Sequence, residues 1–367
     1  MTVESAIYCG ASEGQYGMNA TGRNFGSDNV TPASPEVIEA IVAANAGSLH
    51  SYGDDPYTTR LNGLASTLFE TEVAVFPVTT GTAANALALA TLTPPYGAVY
   101  CHENAHIMTD ECGAPEFFTG GAKVIGLSGV DGKIVPAQLD APLRFAADMG
   151  VHHMRPATLS LTQSTEWGTV YTPTEVRALA EAAHARGLSV HMDGARVANA
   201  IAHLGCSPSE ITWKAGVDVL CLGATKNGAM AAEAVICFDR ARATEFELRR
   251  KRAGHLWSKM RFLSAQLVAY LDGGLWLRNA RHANAMAARL AAGLASLPGV
   301  RLVQAVQANE LFVAMPDSVI ESLFADGFEF YRWATPAGAT GPVVRLVTAY
   351  CTTDADVDAL EIGRAHV

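Results

Sequence analysis

The sequence predicts an α/β protein: a large domain on a mostly parallel sheet, followed by a smaller α+β domain. From "EVAVFPV" to "AVICF", apolar β-rich runs alternate with amphipathic helical segments, as in a parallel sheet covered by helices on both faces. Beyond about residue 275 this pattern changes to short strands typical of an antiparallel sheet. The 367 residues, 49% hydrophobic and 17% charged, suffice for both cores.

Start and stop signals place the elements of the large domain. Ser34, Pro35 and Gly47 predict a helix over 34–47, with a cap, a proline in the first turn and a glycine stop. Residues 240–272, rich in Arg, Lys and Leu, predict uninterrupted helix. The other predicted elements are a helix near 57–70, the strand "EVAVFPV", a helix over 81–92, the strands "GAVYC", "AKVIGL" and "ATLSLT", a helix over 172–187, the strand "LSVHM", a helix over 195–204, and the strands "VDVLCL" and "AVICF".

The smaller domain is predicted to contain a helix near 279–297, the strands "RLVQ" and "NELFVAM", a second helix, and the strands "FEFYRWA" and "VVRLVTAY". No Pro/Ser-rich linker separates the two domains, so we expect the boundary to lie within the long predicted helix. We expect an N-terminal segment over 1–30, the large domain over 31–272, the small domain over 273–362, and a frayed or non-native tail over 363–367.

Composition excludes several partners. A net charge of −10 argues against nucleic acid, which requires a basic face. No apolar run reaches the roughly 20 residues of a membrane-spanning helix. Seven scattered cysteines without a C-x-x-C pair are typical of a reduced, cytoplasmic protein with buried thiols. We expect no metal site and no membrane partner.

Polar residues follow three predicted strands at their carboxyl ends, where open α/β sheets bind ligands. "SVHMDGAR" places Asp193 after a strand and Arg196 at the start of the next helix. "VLCLGATKNG" places Lys226 just past the following strand. "VTTGTAAN" places Gly81 and Thr82 at a helix start, where free amides and the helix dipole favour a phosphate.

This combination predicts pyridoxal phosphate. There is no G-x-G and no GK[ST] loop, so NAD and ATP are poor candidates. A lysine forms an imine with the cofactor, and an acid keeps the ring nitrogen protonated. Each residue alone has a structural alternative: Lys226 as a surface lysine, Asp193 as the N-cap of the helix over 195–204, and Gly81 and Thr82 as an ordinary helix start. The order of phosphate loop, acid and lysine, with 226 − 193 = 33 residues between the last two, favours the cofactor.

Ten strings in order resemble the L-threonine aldolase family of fold-type I pyridoxal-phosphate enzymes. Four of them resemble most its low-specificity and phenylserine aldolase branch: "DECGAPEFF", "CSPSEITWKAGVD", "KRAGHLWSKMRFLSAQ" and "LWLRNARHANA". The other six are "FGSDNVT", "YGDDPYT", "TTGTAANALALA", "HMDGARVANA", "GATKNG" and "VVRLVTAY". The resemblance implies an aspartate-aminotransferase-like large domain.

The resemblance also implies roles around the cofactor. Lys226 is implied to carry the imine, Asp193 to contact the pyridinium nitrogen, and Arg196 to contact the ring hydroxyl. Gly81 and Thr82 are implied to hold the phosphate. His106, in "HENAHIMTDE", matches the histidine that stacks on the ring, although a helix-surface histidine is the structural alternative. His102, four residues earlier, could lie nearby.

Further roles are implied for the substrate and the phosphate. Arg345 matches the arginine that binds the substrate carboxylate; an arginine interrupting an apolar strand needs a partner, and a structural ion pair is the alternative. Ser27 resembles a residue that grips the same carboxylate. Tyr52 resembles a residue that reaches the cofactor phosphate, either within its own subunit or from a neighbouring one. Lys251 and Arg252 either add a cation there or belong to a solvated helix.

Two positions depart from the family. Many relatives carry a histidine that acts on the β-hydroxyl where this chain has Glu166, and the "DECGAPEFF" branch also has an acid there. The arginine of the family's "LRSD" string is replaced by Gly26. The base that acts on the β-hydroxyl is therefore left open between His106, Glu166 and a water held between them.

The implied reaction is reversible retro-aldol cleavage of L-threonine, L-allo-threonine and L-phenylserine to glycine and an aldehyde. An apolar pocket wide enough for phenyl also admits methyl, so we expect broad tolerance at Cβ. The amino acid and aldehyde are the expected partners, in a homodimer or homotetramer with sites at the dimer interface. The alternatives are a β-eliminating lyase, a transaminase, or a catalytically silent oligomeric protein that binds the cofactor.

Overall fold

The computed structural model of the chain describes residues 23–335 and 341–362. The predicted tail and most of the predicted N-terminal segment lie outside them. Contacts divide the chain into a large unit, Pro32–Arg278, and a small unit in which the segment ending at Thr31 joins the residues from Asn279 onward. The sequence predicts the domain boundary after residue 272 and a separate N-terminal segment over 1–30. The structure divides the chain after Arg278 and groups residues 23–31 with the small unit.

A seven-stranded sheet forms the centre of the large unit, in the order β1-β7-β6-β5-β4-β2-β3. The pairs β3/β2, β2/β4, β4/β5 and β5/β6 are parallel, whereas β7 runs antiparallel to both β6 and β1. The mostly parallel α/β class is thereby confirmed. The strands are β1 Ala74–Val78, β2 Gly97–His102, β3 Lys123–Leu127, β4 Arg155–Thr162, β5 Ser189–Gly194, β6 Val219–Leu222 and β7 Glu233–Cys237.

Helices connect these strands, and one of them lies in the core. Apart from Gly81, Thr82 and Thr91, every residue of α3 is buried, including Asn85, a polar residue in an otherwise apolar stretch. The α-helices of the large unit are α1 Pro35–Ala44, α2 Pro56–Leu68, α3 Gly81–Leu92, α4 His106–Thr109, α5 Ala114–Thr119, α6 Pro136–Met149, α7 Pro173–His184, α8 Val197–Leu204, α9 Pro208–Ile211, α10 Ala243–Arg252 and α11 Arg261–Leu271.

The prediction of uninterrupted helix over 240–272 is wrong. Helix α10 ends at Arg252, and α11 begins at Arg261. Gly254 adopts φ +81°, and the amide of His255 donates to the Arg250 carbonyl at 3.0 Å, a hydrogen bond that closes a helix end. The surrounding residues are good helix formers, so their composition does not indicate that the helix ends at a single glycine.

The small unit is built on a four-stranded antiparallel sheet in the order β10-β11-β9-β8. The segment at Phe25 is hydrogen-bonded to residues of this unit. The Phe25 amide donates to the Glu329 carbonyl at 2.7 Å, and the Phe25 carbonyl accepts from the Val347 amide at 2.8 Å. Phe25 then packs in the apolar core with Leu290 and Val344. The elements are α12 Leu275–Ala295, which starts in the large unit, β8 Arg301–Leu302, β9 Glu310–Ala314, α13 Asp317–Ala325, β10 Tyr331–Trp333, β11 Val343–Val347 and α14 Asp354–Ile362.

Within residues 23–335 and 341–362, no helix combines the length and the apolar composition that crossing a bilayer requires.

Candidate active site

The carboxyl ends of β5 and β6 bring the segments of Asp193 and Lys226 together. The two strands are parallel, with Asp193 opposite Cys221. Past the strands, the Gly223 amide donates to the Gly194 carbonyl at 3.0 Å. A Cβ on Gly223 would collide with the backbone of Ala195, so this close approach requires glycine. The turn that carries Lys226 therefore packs directly against the turn that follows Asp193.

The Lys226 turn is held from both sides. Lys226 lies half-buried in a 3-10 turn over Thr225–Asn227. Before it, the Ala224 amide donates to Glu233 Oε2 at 2.8 Å. After it, Asn227 Nδ2 donates at 2.8 Å to the Tyr270 hydroxyl and to the Trp276 carbonyl. These contacts fix the backbone of the turn and leave the lysine side chain out of them.

Asp193 is an oriented, buried acid and not a helix cap. It is 4% exposed, and its Oδ1 accepts from the Ala195 amide at 3.0 Å. Its Oδ2 accepts from Asn85 Nδ2 at 2.8 Å. Helix α8 begins only at Val197, with Arg196 at the N-cap position. The alternative in which Asp193 caps that helix is wrong, and Arg196 lies at the helix start, as predicted.

Gly81 and Thr82 are the first two residues of α3, as the sequence predicts. The Thr80 hydroxyl accepts from the Ala83 amide at 3.1 Å, whereas the amides of Gly81 and Thr82 have no partner within the helix. A Cβ placed on Gly81 would meet nothing within 4 Å, so open space adjoins these amides. A phosphate placed there would find both donors and the positive end of the helix dipole.

His106 opens the short helix α4 and takes part in a buried polar network. Its Nδ1 lies 2.9 Å from Glu111 Oε1, which also accepts from Asn85 Nδ2 at 2.9 Å. Since Asn85 donates to Asp193 as well, the network runs from the acid of β5 to this histidine. Burial alone would lower the pKa of His106, but the hydrogen bond to Glu111 and the charge of Asp193 outweigh it, and the net pKa is raised. The histidine expected on the helix surface under the structural alternative is instead tied to the predicted site.

Glu166 is brought beside His106 by the loop after β4. Its Oε1 accepts from the His106 backbone amide at 2.8 Å, and its buried Oε2 has no partner among the described residues. Burial raises the pKa of Glu166 to about 7, and the charge of Asp193 adds to the rise. A carboxyl group with such a pKa exchanges protons near neutral pH. His102, by contrast, is buried at the end of β2, and burial lowers its pKa.

Tyr52 lies in a loop before α2, with φ +59° and 49% of its surface exposed. Lys251 Nζ is 4.5 Å from the centre of its ring, a cation–π distance. Lys251 and Arg252 are themselves exposed at the end of α10. The structure thus pairs Tyr52 with Lys251, and the phosphate role of Tyr52 stays a prediction.

In the small unit, Arg345 and the segment of Ser27 meet. Arg345 is central in β11, and its Nη2 donates to the Gly26 carbonyl at 3.0 Å. The guanidinium carbon lies 4.6 Å from the centre of the Trp333 ring, and Nη1 is 3.8 Å from Glu310 Oε1. Ser27 caps a 3-10 turn by accepting from the Asn29 amide at 3.1 Å. Arg345 thus takes part in an ion pair with Glu310, and its role in binding the substrate carboxylate stays a prediction.

Three residues that shape the site are not predicted from the sequence: Asn85, Glu111 and Glu233. Asn85 and Glu111 connect His106 to Asp193, and Glu233 fixes the turn before Lys226. One signal was available. A single amide inside the apolar helix "GTAANALALA" requires a polar partner, because an unpaired buried amide is costly. The partner itself is 26 residues away in sequence and could not be read from it.

Comparisons with known proteins place the chain in a family. The model of the beta-eliminating lyases matches residues 24–318. A low-specificity L-threonine aldolase of a Pseudomonas species is 44% identical over 94% of this chain and 97% of its own length. One from Pseudomonas aeruginosa is 45% identical over 93% of this chain and 96% of its own. The chain belongs to the beta-eliminating lyase family, with the low-specificity L-threonine aldolases.

Solved structures extend this family likeness to the fold. Leishmania major threonine aldolase superposes with a TM-score of 0.87 at 27% identity, over 94% of this chain and 98% of the other. A rice protein named TDC, solved with PLP and tryptamine, has a TM-score of 0.75 at 14% identity, over 94% of this chain and 84% of the other. The second likeness concerns the fold alone.

The residues of this aldolase-family chain fit pyridoxal phosphate by their own chemistry. The turn of Lys226, the buried acid Asp193 and the open helix start at Gly81 belong to one unit and one sheet edge. Amine, acid and phosphate donors are the three groups that this cofactor requires. Among the described residues, no cluster of His, Cys, Asp and Glu is arranged to hold a metal ion.

Proposed function

We propose that the chain is a pyridoxal-phosphate-dependent aldolase that cleaves L-β-hydroxy-α-amino acids to glycine and an aldehyde. The observation that carries this proposal is the sheet edge at which the segments of Asp193 and Lys226 meet. From there, a chain of hydrogen bonds through Asn85 and Glu111 connects Asp193 to His106. The identity of 44% to an L-threonine aldolase over 94% of the chain supports the same reaction.

The cofactor would be held by the large unit. Lys226 would bond to it covalently, Asp193 would face its ring nitrogen and Arg196 its ring hydroxyl. The amides of Gly81 and Thr82 would bind the phosphate, with Tyr52 as a further phosphate contact. When bound, pyridoxal phosphate accepts the electron pair of the broken Cα–Cβ bond. The two hydrogen bonds on Asp193 fix the direction of its carboxylate, which would favour a protonated ring nitrogen.

The substrate carboxylate would be bound by Arg345 and Ser27. A guanidinium presents a planar pair of donors that matches a carboxylate. Arg345 is held by aromatic contact and by the Gly26 carbonyl, so its orientation is set before a ligand arrives. Fixing the carboxylate orients the bond to be broken.

A base must take the proton of the β-hydroxyl. Glu166 and His106 are adjacent, since Glu166 Oε1 accepts from the His106 amide. Glu166 Oε2 is the oxygen left for the substrate, and the pKa of this carboxyl, about 7, suits proton transfer near neutral pH. The histidine stacks on the ring in this proposal.

We further infer broad tolerance at Cβ, including L-threonine, L-allo-threonine and L-phenylserine, and a homo-oligomeric enzyme, dimer or tetramer, with sites at the dimer interface. The resemblance to the phenylserine aldolase branch supports the first inference. The thiols of Cys101, Cys221 and Cys237 are free and buried, as is typical of a reduced compartment, and we infer a cytoplasmic location.

The test supplies the purified protein with pyridoxal phosphate and each of the three amino acids. We expect glycine and the matching aldehyde in equal amounts. Ammonia with 2-oxobutyrate from either threonine isomer, or with phenylpyruvate from phenylserine, would point instead to β-elimination, and no turnover with tightly bound cofactor would point to a silent binding protein. Borohydride reduction followed by peptide mapping is expected to find the cofactor on Lys226. Light scattering gives the oligomeric state.

A further inference from the structure

Glu111 stands at the junction of the buried network, although no role in the reaction is assigned to it above. It is 4% exposed and lies between helices α4 and α5. One oxygen, Oε1, serves both neighbours: Asn85 Nδ2 at 2.9 Å and His106 Nδ1 at 2.9 Å. The other, Oε2, is buried and has no partner among the described residues. Burial raises the pKa of the Glu111 carboxyl, and the hydrogen bonds that this single oxygen makes with His106 and Asn85 offset the rise in part.

His106 contacts a carboxylate at each ring nitrogen. Nδ1 faces Glu111 at 2.9 Å, and Nε2 faces Asp110 at 3.4 Å. A neutral imidazole donates from one nitrogen only, whereas an imidazolium donates from both. The contact at Nδ1 is a hydrogen bond and the one at Nε2 is an ion-pair distance, and an acid on each side of the ring favours its charged form. The two acids differ in burial, because the Glu111 side chain is 0% exposed and the Asp110 side chain 73% exposed.

Other charged groups also face this ring. Asp193 attracts the charged form, Lys226 opposes it, and Glu166 accepts from the His106 backbone amide. Asn85, on helix α3, is neutral and donates to both Glu111 and Asp193. Since the exposed Asp110 is screened by water, Glu111 is the acid with the larger effect on the ring.

We propose that Glu111 is a positioning residue that holds His106 as an imidazolium in a fixed orientation and, through Asn85, holds the carboxylate of Asp193. It acts through these groups and does not touch the substrate. The proposal rests on the proposed function in one respect: a charged His106 cannot accept a proton, so the base on the β-hydroxyl is Glu166.

The first experiment reads the ring directly. The full chain is labelled with ring-15N histidine and studied by NMR with and without added pyridoxal phosphate, and His106→Asn identifies the signal. In the wild type we expect the shifts of an imidazolium at pH 7 and a titration midpoint above that of an ordinary histidine. A neutral ring at pH 7 would overturn the proposal, even if every variant failed to fold.

Variants then separate the two acids. Glu111→Gln keeps the shape and removes the charge, so we expect the His106 midpoint to fall by about 1 unit or more. Asp110→Asn is expected to move it by less than half as much. Glu116→Gln, the same change on the neighbouring helix α5, is the control and should leave the midpoint at the wild-type value. A wild-type midpoint in Glu111→Gln, or a larger shift in Asp110→Asn, contradicts the proposal.

Kinetics test the consequence for the reaction. In Glu111→Gln we expect kcat for aldehyde release to fall about tenfold with little change in KM, together with an altered pH profile. A uniform loss of folded protein would lower activity without moving that profile. If the wild type has a charged His106 but releases no aldehyde from any of the three substrates, the proposed function fails while the role of Glu111 at the ring stands.

Discussion

Two acids of the large unit and two acids of the small unit are held in different ways. In the large unit, Asp193 and Glu111 are each 4% exposed and both accept from the amide of Asn85. In the small unit, the side chains of Asp317 and Glu321 are 65% and 68% exposed, and both pair with Arg332. Exposed ion pairs contribute little to stability, whereas a buried acid costs free energy and gains a fixed direction. Burial of Asp193 and Glu111 thus lowers the stability of the fold and fixes two acids in the candidate site.

The largest loss is expected at Lys226, whose turn packs against the turn that follows the buried Asp193. Lys226→Ala should reduce kcat by about 10⁴-fold or more, because the covalent attachment point is gone. Aldehyde release and borohydride trapping measure the change. Lys214→Ala, which removes an exposed lysine paired with Glu70, is the control and should keep nearly full activity. Retention of covalent cofactor by Lys226→Ala would show that another lysine carries it.

Asp193→Asn should lower kcat by about 10²–10³-fold, since the charge that favours a protonated ring nitrogen is lost while the shape is kept. The absorbance of the bound cofactor should change with it. Asp317→Asn makes the same substitution at an exposed acid of the small unit and should stay within about twofold of the wild type. Equal effects in the two variants would contradict the distinction between the buried and the exposed acid.

Glu166→Gln addresses the pH dependence. Burial raises the pKa of Glu166 to about 7, so the basic form predominates only above that pH. In the wild type, kcat/KM should rise as the pH passes through about 7. In Glu166→Gln this rise should vanish and the plateau should fall by about 10²-fold. If the rise persists in Glu166→Gln and is lost in His106→Asn, the histidine is the base.

Glu233→Gln tests what a buried acid costs. Burial raises the pKa of Glu233 from 4.5 to about 7, so between these values the folded chain keeps a proton that the unfolded chain releases. The wild type should therefore lose stability relative to Glu233→Gln as the pH rises from about 4.5 to about 7. The difference of 7 − 4.5 = 2.5 sets an upper limit of about 3 kcal/mol. Urea unfolding at pH 4.5 and pH 8 measures it, and a pH-independent gap would argue against the buried charge.

The smallest effect is expected at the exposed pair. Arg332→Ala removes the contacts to Asp317 and Glu321, at 2.7 and 2.6 Å, yet should lower the free energy of unfolding by less than about 1 kcal/mol. Added salt should shrink the difference further. A loss of several kcal/mol would mean that the surface acids contribute as much as the buried ones cost.

Local signals were sufficient for much of this molecule. Apolar strands followed by capped helices predicted the parallel sheet, and α3 was predicted with the bounds Gly81–Leu92 that it has. Strand ends located Asp193, Arg196 and Lys226, because ligand groups of such sheets follow the strands. The break between α10 and α11 was missed, since one glycine outweighs a run of good helix formers.

By itself, the sequence determined the α/β class and the order of a phosphate loop, an acid and a lysine, since capping, periodicity and strand ends are properties of neighbouring residues. Only the tertiary structure decided that Asn85 joins Glu111 to Asp193, that Glu166 meets His106, and that Glu233 holds the turn of Lys226. Each of these contacts joins separate elements of the large unit. Which buried polar groups satisfy one another depends on how those elements pack, and no local pattern encodes that choice.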